Sequence, residues 1–128
     1  MIVAVMQPCY LPWRGYFALM RACDAFVHLD DVPLPLARSY QTRVALRTAR
    51  GRQWLSLPVR RRAAQLIRDA RLADDRWRRK HLATLRQHLP AATEIVADLL
   101  GRPWTHLCEL NVALSERIAD HLEAVLSA

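Results

Sequence analysis

One order of residues near the start of the chain restricts its fold more than any other. An apolar run, Ile2-Val3-Ala4-Val5-Met6, leads into the loop Gln7-Pro8-Cys9-Tyr10-Leu11-Pro12-Trp13. Pro8 and Pro12 keep that loop stiff and non-helical. Ala18 to Cys23 can form a helix, and a second apolar run, Ala25-Phe26-Val27-His28-Leu29, is closed by Asp30-Asp31. Two short apolar strands joined by a helix make a βαβ unit with parallel strands. Uninterrupted apolar strands of this kind are expected to be buried on both faces. Ligands in such sheets bind beyond the C-terminal strand ends, here Gln7 onward and Asp30-Asp31. Gly15 permits close approach near the helix start. Phe17 and Met20 are expected in the core, with the Tyr16 hydroxyl turned to the site.

Further along, Asp31-Val32-Pro33-Leu34-Pro35 is a loop, since two prolines so placed exclude a central strand. Tyr40, Thr42, Val44 and Leu46 alternate with Gln41, Arg43, Ala45 and Arg47. That strand period puts Gln41 and Arg43 on one face. Thr48 to Arg52 supplies a turn in which Gly51 can take positive φ. With Trp54 to Val59 the pattern predicts an antiparallel hairpin over 39–59. Ala70-Arg71-Leu72 fits a short strand. Asp74 or Asp75 can cap a helix running to Leu89, with Trp77, His81 or Leu82, Leu85 and Leu89 on one stripe and Pro90 as its stop. Thr93 is expected to cap a short helix closed by Gly101, and Thr105 to cap the last one. There Leu107, Leu110, Leu114, Ile118, Leu122 and Val125 recur three or four apart, an amphipathic period. The expected fold class is α/β: an N-terminal βαβ with parallel strands, a β-hairpin, then three C-terminal helices, as a single domain over 1–128.

No apolar run approaches a membrane span, and the first run lacks the basic flank of a secretory signal, so a cytoplasmic location is expected. Cys9, Cys23 and Cys108 are odd in number and widely spaced, which fits neither a zinc motif nor a disulfide framework. Cys9, in the first loop, is the one to test for reactivity. Fourteen of the 19 basic residues fall between Arg38 and Lys80, so the charge is localised rather than general. All but Lys80 are arginine, whose planar fork suits phosphate or carboxylate. The run Arg60-Arg61-Arg62 also allows a nucleic-acid partner, although no recognised nucleic-acid motif accompanies it.

Taken together, these segments resemble the WbqC-like family. The marks are Met6 to Trp13, Gly15-Tyr16-Phe17, Phe26 to Val32, Arg38-Ser39-Tyr40-Gln41 with Arg43, Gln53 to Val59, Trp77 to His81, and Leu110-Asn111. They run in the family's order over nearly the whole chain. The resemblance implies a bacterial protein working with genes for O-antigen and other surface polysaccharides. Family members usually continue into a second α/β half. Against that pattern this chain is expected to be the N-terminal portion or a shortened member, the second half being absent.

The expected activity is transfer of an acyl or aminoacyl group to a nucleotide-linked amino sugar. Asp30 and Asp31 are the catalytic candidates; because extended neighbours point to opposite faces, only one can face the site. That carboxylate can act as base, hydrogen-bond a ribose, or hold Mg²⁺ with substrate phosphate; no all-protein metal site is expected. The substrate-binding candidates are Gln7, Tyr10, Tyr16, Arg38, Gln41, Arg43 and Lys80. His81 is expected to be a satisfied, half-buried histidine, and Trp13 to pack. The rivals are a basic, non-catalytic module for nucleic acid or another polyanion, and a fragment completed by a homo-oligomer or a partner chain.

Overall fold

The computed structural model describes residues 1–127. β1 (Val3–Met6), α1 (Arg14–Ala22) and β2 (Ala25–His28) form the expected βαβ unit. The strands pair in parallel, with Val3 opposite Ala25 and Met6 opposite His28. β3 (Arg43–Thr48) and β4 (Gly51–Ser56) form an antiparallel hairpin, turned at Gly51 with φ +103°. β5 (Val59–Arg60) pairs antiparallel with β6 (Arg71–Leu72). The helices α2 (Trp77–His88), α3 (Pro90–Leu100) and α4 (Leu107–Leu126) complete the α/β fold. None is long and apolar enough to cross a membrane.

α4 organises the core. Its Leu107, Leu110 and Leu114 are fully buried, packed in one cluster with Ile67, Leu100, Leu55 and Tyr10. The apolar stripe expected for this helix holds through Ile118, after which Leu122 and Val125 are exposed. On α2, Trp77, His81 and Leu85 turn inward, whereas Leu89, at the C-cap, is exposed. Neither Asp74 nor Asp75 caps α2: the N-cap is Arg76, and the Asp74 carboxylate accepts from the Arg76 N–H at 2.9 Å in the turn before the helix.

Several expectations need correction. The parallel strands are not buried on both faces. Ala4 and its partner Phe26 face inward, where Phe26 meets Tyr16 of α1, while Val3, Val5 and Val27 on the other face are 52, 51 and 44% exposed. The apolar run reports the needs of a two-sided sheet, and this chain covers one side. Within α1 the buried ring is Tyr16; Phe17 and Met20 are only half-buried. Thr93 does not cap α3. The helix starts at Pro90, whose fixed φ suits the first helical position, and the Thr93 hydroxyl donates back to the Leu89 carbonyl at 2.7 Å. The α4 N-cap is His106, one residue beyond Thr105.

The hairpin is also shorter than 39–59. Residues 39–42 form a turn in which the Ser39 carbonyl accepts from the N–H groups of Thr42 and Arg43 at 3.0 and 3.1 Å. Gln41 therefore lies outside the strand period and does not share a face with Arg43.

Candidate functional site

The trailing ends of β1 and β2 meet the first turns of α4. Cys108, Asn111 and Ser115 lie three and four residues apart on one face of α4, and all are buried. The Asn111 side-chain amide donates to the Gln41 carbonyl at 2.9 Å. The Gln41 amide in turn donates to the Gln7 side-chain oxygen at 2.7 Å. The Gln7 carbonyl lies within reach of the Tyr16 hydroxyl at 3.5 Å and the Cys9 thiol at 3.4 Å. From the second strand, the Asp30 carboxylate accepts from the Cys108 thiol at 3.7 Å. Residues just past β1 and β2 thus converge on a single helix face.

Burial governs the acid–base character of this cluster. It pushes the Cys9 thiol up to about 11. Burial and then the neighbouring Asp30 charge push Cys108 to about 11 as well. Tyr16 is raised by burial, with smaller additions from Cys9 and Cys108. Neither thiol is therefore a ready nucleophile, since the thiolate is the reactive form. Asp30, half-buried, is the carboxylate directed into the cluster, whereas Asp31 is exposed.

Three polar atoms in or beside this network are buried without a partner: Gln41 Oε1, Asn111 Oδ1 and Ser115 Oγ. Buried polar groups are nearly always hydrogen-bonded. Each of these atoms therefore calls for a partner, as do His28 Nδ1, Ser39 Oγ, Gln65 Oε1, Trp77 Nε1 and Arg78 Nε among the described residues. Among the described residues, no three His, Cys, Asp or Glu side chains gather as a metal cage. Asp30 alone could serve Mg²⁺ that keeps its waters and a substrate phosphate.

The remaining candidates lie elsewhere. Tyr10 is buried in the core, its hydroxyl 2.8 Å from His81 Nδ1, so it offers no free polar group. Arg43 stacks on Trp54, its guanidinium carbon 3.9 Å from the ring centre, on the outer face of the hairpin. Arg38 and Lys80 are exposed and outside the network. Arg61, which the sequence places only in a basic run, clasps the 35–42 loop: its guanidinium donates to the Pro35 carbonyl at 2.8 Å and to Thr42 Oγ1 at 3.2 Å. Asn111 and Ser115 carry no role in the sequence reading. The signal for them is their spacing, polar residues one helical turn apart beside the leucine stripe.

Next to the network lies an apolar cavity of about 650 Å³. Residues Cys9 to Trp13 form one wall, with β3, α2, α3 and α4 supplying the rest. Leu11 is held at φ +44° in that wall.

A model of the WbqC-like protein family matches residues 7–127, from Gln7 through α4. The chain is also similar to a protein of Mycobacterium tuberculosis (strain ATCC 25618 / H37Rv), the uncharacterized protein Rv1507c. The two are 33% identical over 129 residues, covering 94% of this chain and 55% of that protein. The chain therefore spans about half the length of this curated relative. No solved structure gives a significant match.

Proposed function

We infer from one premise, that this chain belongs to the WbqC-like protein family, that its strand-edge site serves the assembly of bacterial surface polysaccharide. The reaction proposed is N-acylation or N-aminoacylation of a nucleotide-linked amino sugar. The sugar amine attacks the carbonyl carbon of an acyl donor, an amide bond forms, and the bond from that carbon to the donor's leaving group breaks. Asp30 accepts the proton lost by the amine. Gln7 and Gln41 position the sugar through side-chain amides, which can both donate to and accept from hydroxyl groups, and the buried Asn111 holds Gln41 in place through the Gln41 carbonyl. The observation that supports this most is the group of orphaned buried polar atoms at Gln41, Asn111 and Ser115, beside the trailing ends of two parallel strands.

Calorimetric titration with a panel of UDP- and dTDP-linked amino sugars tests it. Asp30→Ala and Gln7→Ala are each expected to weaken the best ligand roughly tenfold, the value of one buried hydrogen bond to a polar or charged group. Arg43→Ala, outside the network, is expected to leave affinity within about twofold, as surface substitutions do. Equal affinities in wild type and both site variants would contradict the assignment.

One observation favours a second reading. Arg43, Arg47, Arg52 and Trp54 share the outer hairpin face, with Arg43 and Arg52 at 3.9 and 5.7 Å from the Trp54 ring. Cations with an exposed aromatic suit single-stranded nucleic acid. Steeply salt-dependent oligonucleotide binding, with no response to any nucleotide sugar, would select this function instead.

A further inference from the structure

The cavity beside the polar network has a different chemistry. Its interior polar groups already have partners: the Thr93 hydroxyl bonds the Leu89 carbonyl at 2.7 Å, Tyr10 bonds His81 at 2.8 Å, and the Cys9 thiol bonds the Gln7 carbonyl at 3.4 Å. A charged guest would lose its hydration there and gain nothing from those groups in return. Much of the remaining wall is aliphatic, including Leu11, Val44, Leu85 and Val96. Trp13 and Tyr40, 50 and 60% exposed, stand at the rim with ring centres 6.1 Å apart. Gly15 makes room for this rim, since a Cβ there would meet the Trp13 indole nitrogen at 2.8 Å. The Leu11 backbone is in a region that ordinary side chains avoid, a form of strain that persists where the surroundings over-determine it.

We propose that this cavity binds an aliphatic chain. It thereby selects an acyl group over an aminoacyl group in the transfer. Naming the chain as acyl rests on the transfer function above; the cavity as an alkyl-chain site does not. The volume of about 650 Å³ lies well within the small-molecule range. The wall built from residues 9–13 continues from Gln7, so the chain would end beside the groups that position the sugar.

The test is calorimetric titration of the protein with n-alkanols from hexanol to decanol and with the matching alkanoates. Burial of each added methylene is expected to tighten binding roughly three- to fourfold. Ala92 is exposed on α3 and lines the cavity, whereas its neighbour Ala91 is exposed outside it. Ala92→Trp is therefore expected to weaken decanol roughly tenfold or more by filling the space, while Ala91→Trp stays within about twofold. Melting curves of both variants confirm that the fold persists. Absence of binding, a series flat in chain length, or wild-type affinity in Ala92→Trp would overturn the proposal. So would cosedimentation with phosphatidylcholine vesicles in the absence of alkanol binding, which would assign the apolar residues to a membrane surface. Nucleotide-sugar titration of the same preparation keeps the two claims apart. Sugar binding without chain binding overturns the cavity site alone, and chain binding without sugar binding supports that site while removing the transfer reaction.

Discussion

Between pH 6.5 and pH 4 the native chain is expected to lose about 3 kcal/mol of stability through His81 alone. Its imidazole is buried between Tyr10 and Trp77, with ring centres 5.7 and 5.2 Å away. The Ser56 carbonyl, 3.1 Å from Nε2, can only accept, so Nε2 carries the proton. Nδ1 is then bare and accepts from the Tyr10 hydroxyl at 2.8 Å. Burial pushes the histidine down to about 4, opposed by the Ser56 bond and aided by the Lys80 charge. The native pKa therefore lies below the unfolded one. The contribution is full above pH 6.5 and is lost as the unfolded chain takes up a proton that the native chain refuses, down to about pH 4. Urea unfolding across this range measures it. His81→Gln keeps a donor for Ser56 and is expected to flatten the slope; an unchanged slope in that variant would place the titration elsewhere. Asp98 is also held low, chiefly by its hydrogen bond to Arg117.

Asn111→Asp is expected to cost about 3 kcal/mol at neutral pH, because it leaves an unpaired buried charge. Asn111 is fully buried, and its amide donates to the Gln41 carbonyl at 2.9 Å. A carboxylate of the same shape points an acceptor at that carbonyl. Asp30 adds a second negative charge nearby, held through Cys108 one helical turn away. The new carboxyl would have a raised native pKa, so its penalty is present above that pKa and disappears on protonation. The difference from wild type should therefore shrink as pH falls from 7 to 4, whereas Asn111→Ala should cost about 1–2 kcal/mol with little pH dependence. Urea midpoints at three pH values decide it. An Asn111→Asp variant as stable as wild type would mean that Asn111 does not hold the 39–42 turn.

The parts of this architecture legible in the sequence are those encoded locally. The βαβ order follows from two apolar runs flanking a proline loop, the hairpin from its alternation and Gly51, and α4 from its leucine period. The errors arise where tertiary contacts override a local period. Gln41 falls in register with Arg43 by counting, yet the Ser39 turn takes it out of the strand and Asn111, 70 residues away, draws it inward. Tyr10 looks like a polar group of a loop, but its ring fills the core and its hydroxyl is taken by His81. Asp30 and Asp31 cannot be told apart by type; Cys108, far along the chain, engages the first. The open valine face of β1 and β2 could not be read from an apolar run, because such a run records what a strand should pack against and not what this chain supplies.

The central claim is that the ends of β1 and β2 form one polar ligand site against α4. The most direct measurement is a titration of ¹⁵N-labelled protein with a UDP-linked amino sugar, following the side-chain amide resonances of Gln7, Gln41 and Asn111. All three should shift together and saturably while the arginine signals of Arg43 and Arg52 stay in place. Shifts confined to the hairpin arginines, with those amides unmoved at saturation, would contradict it.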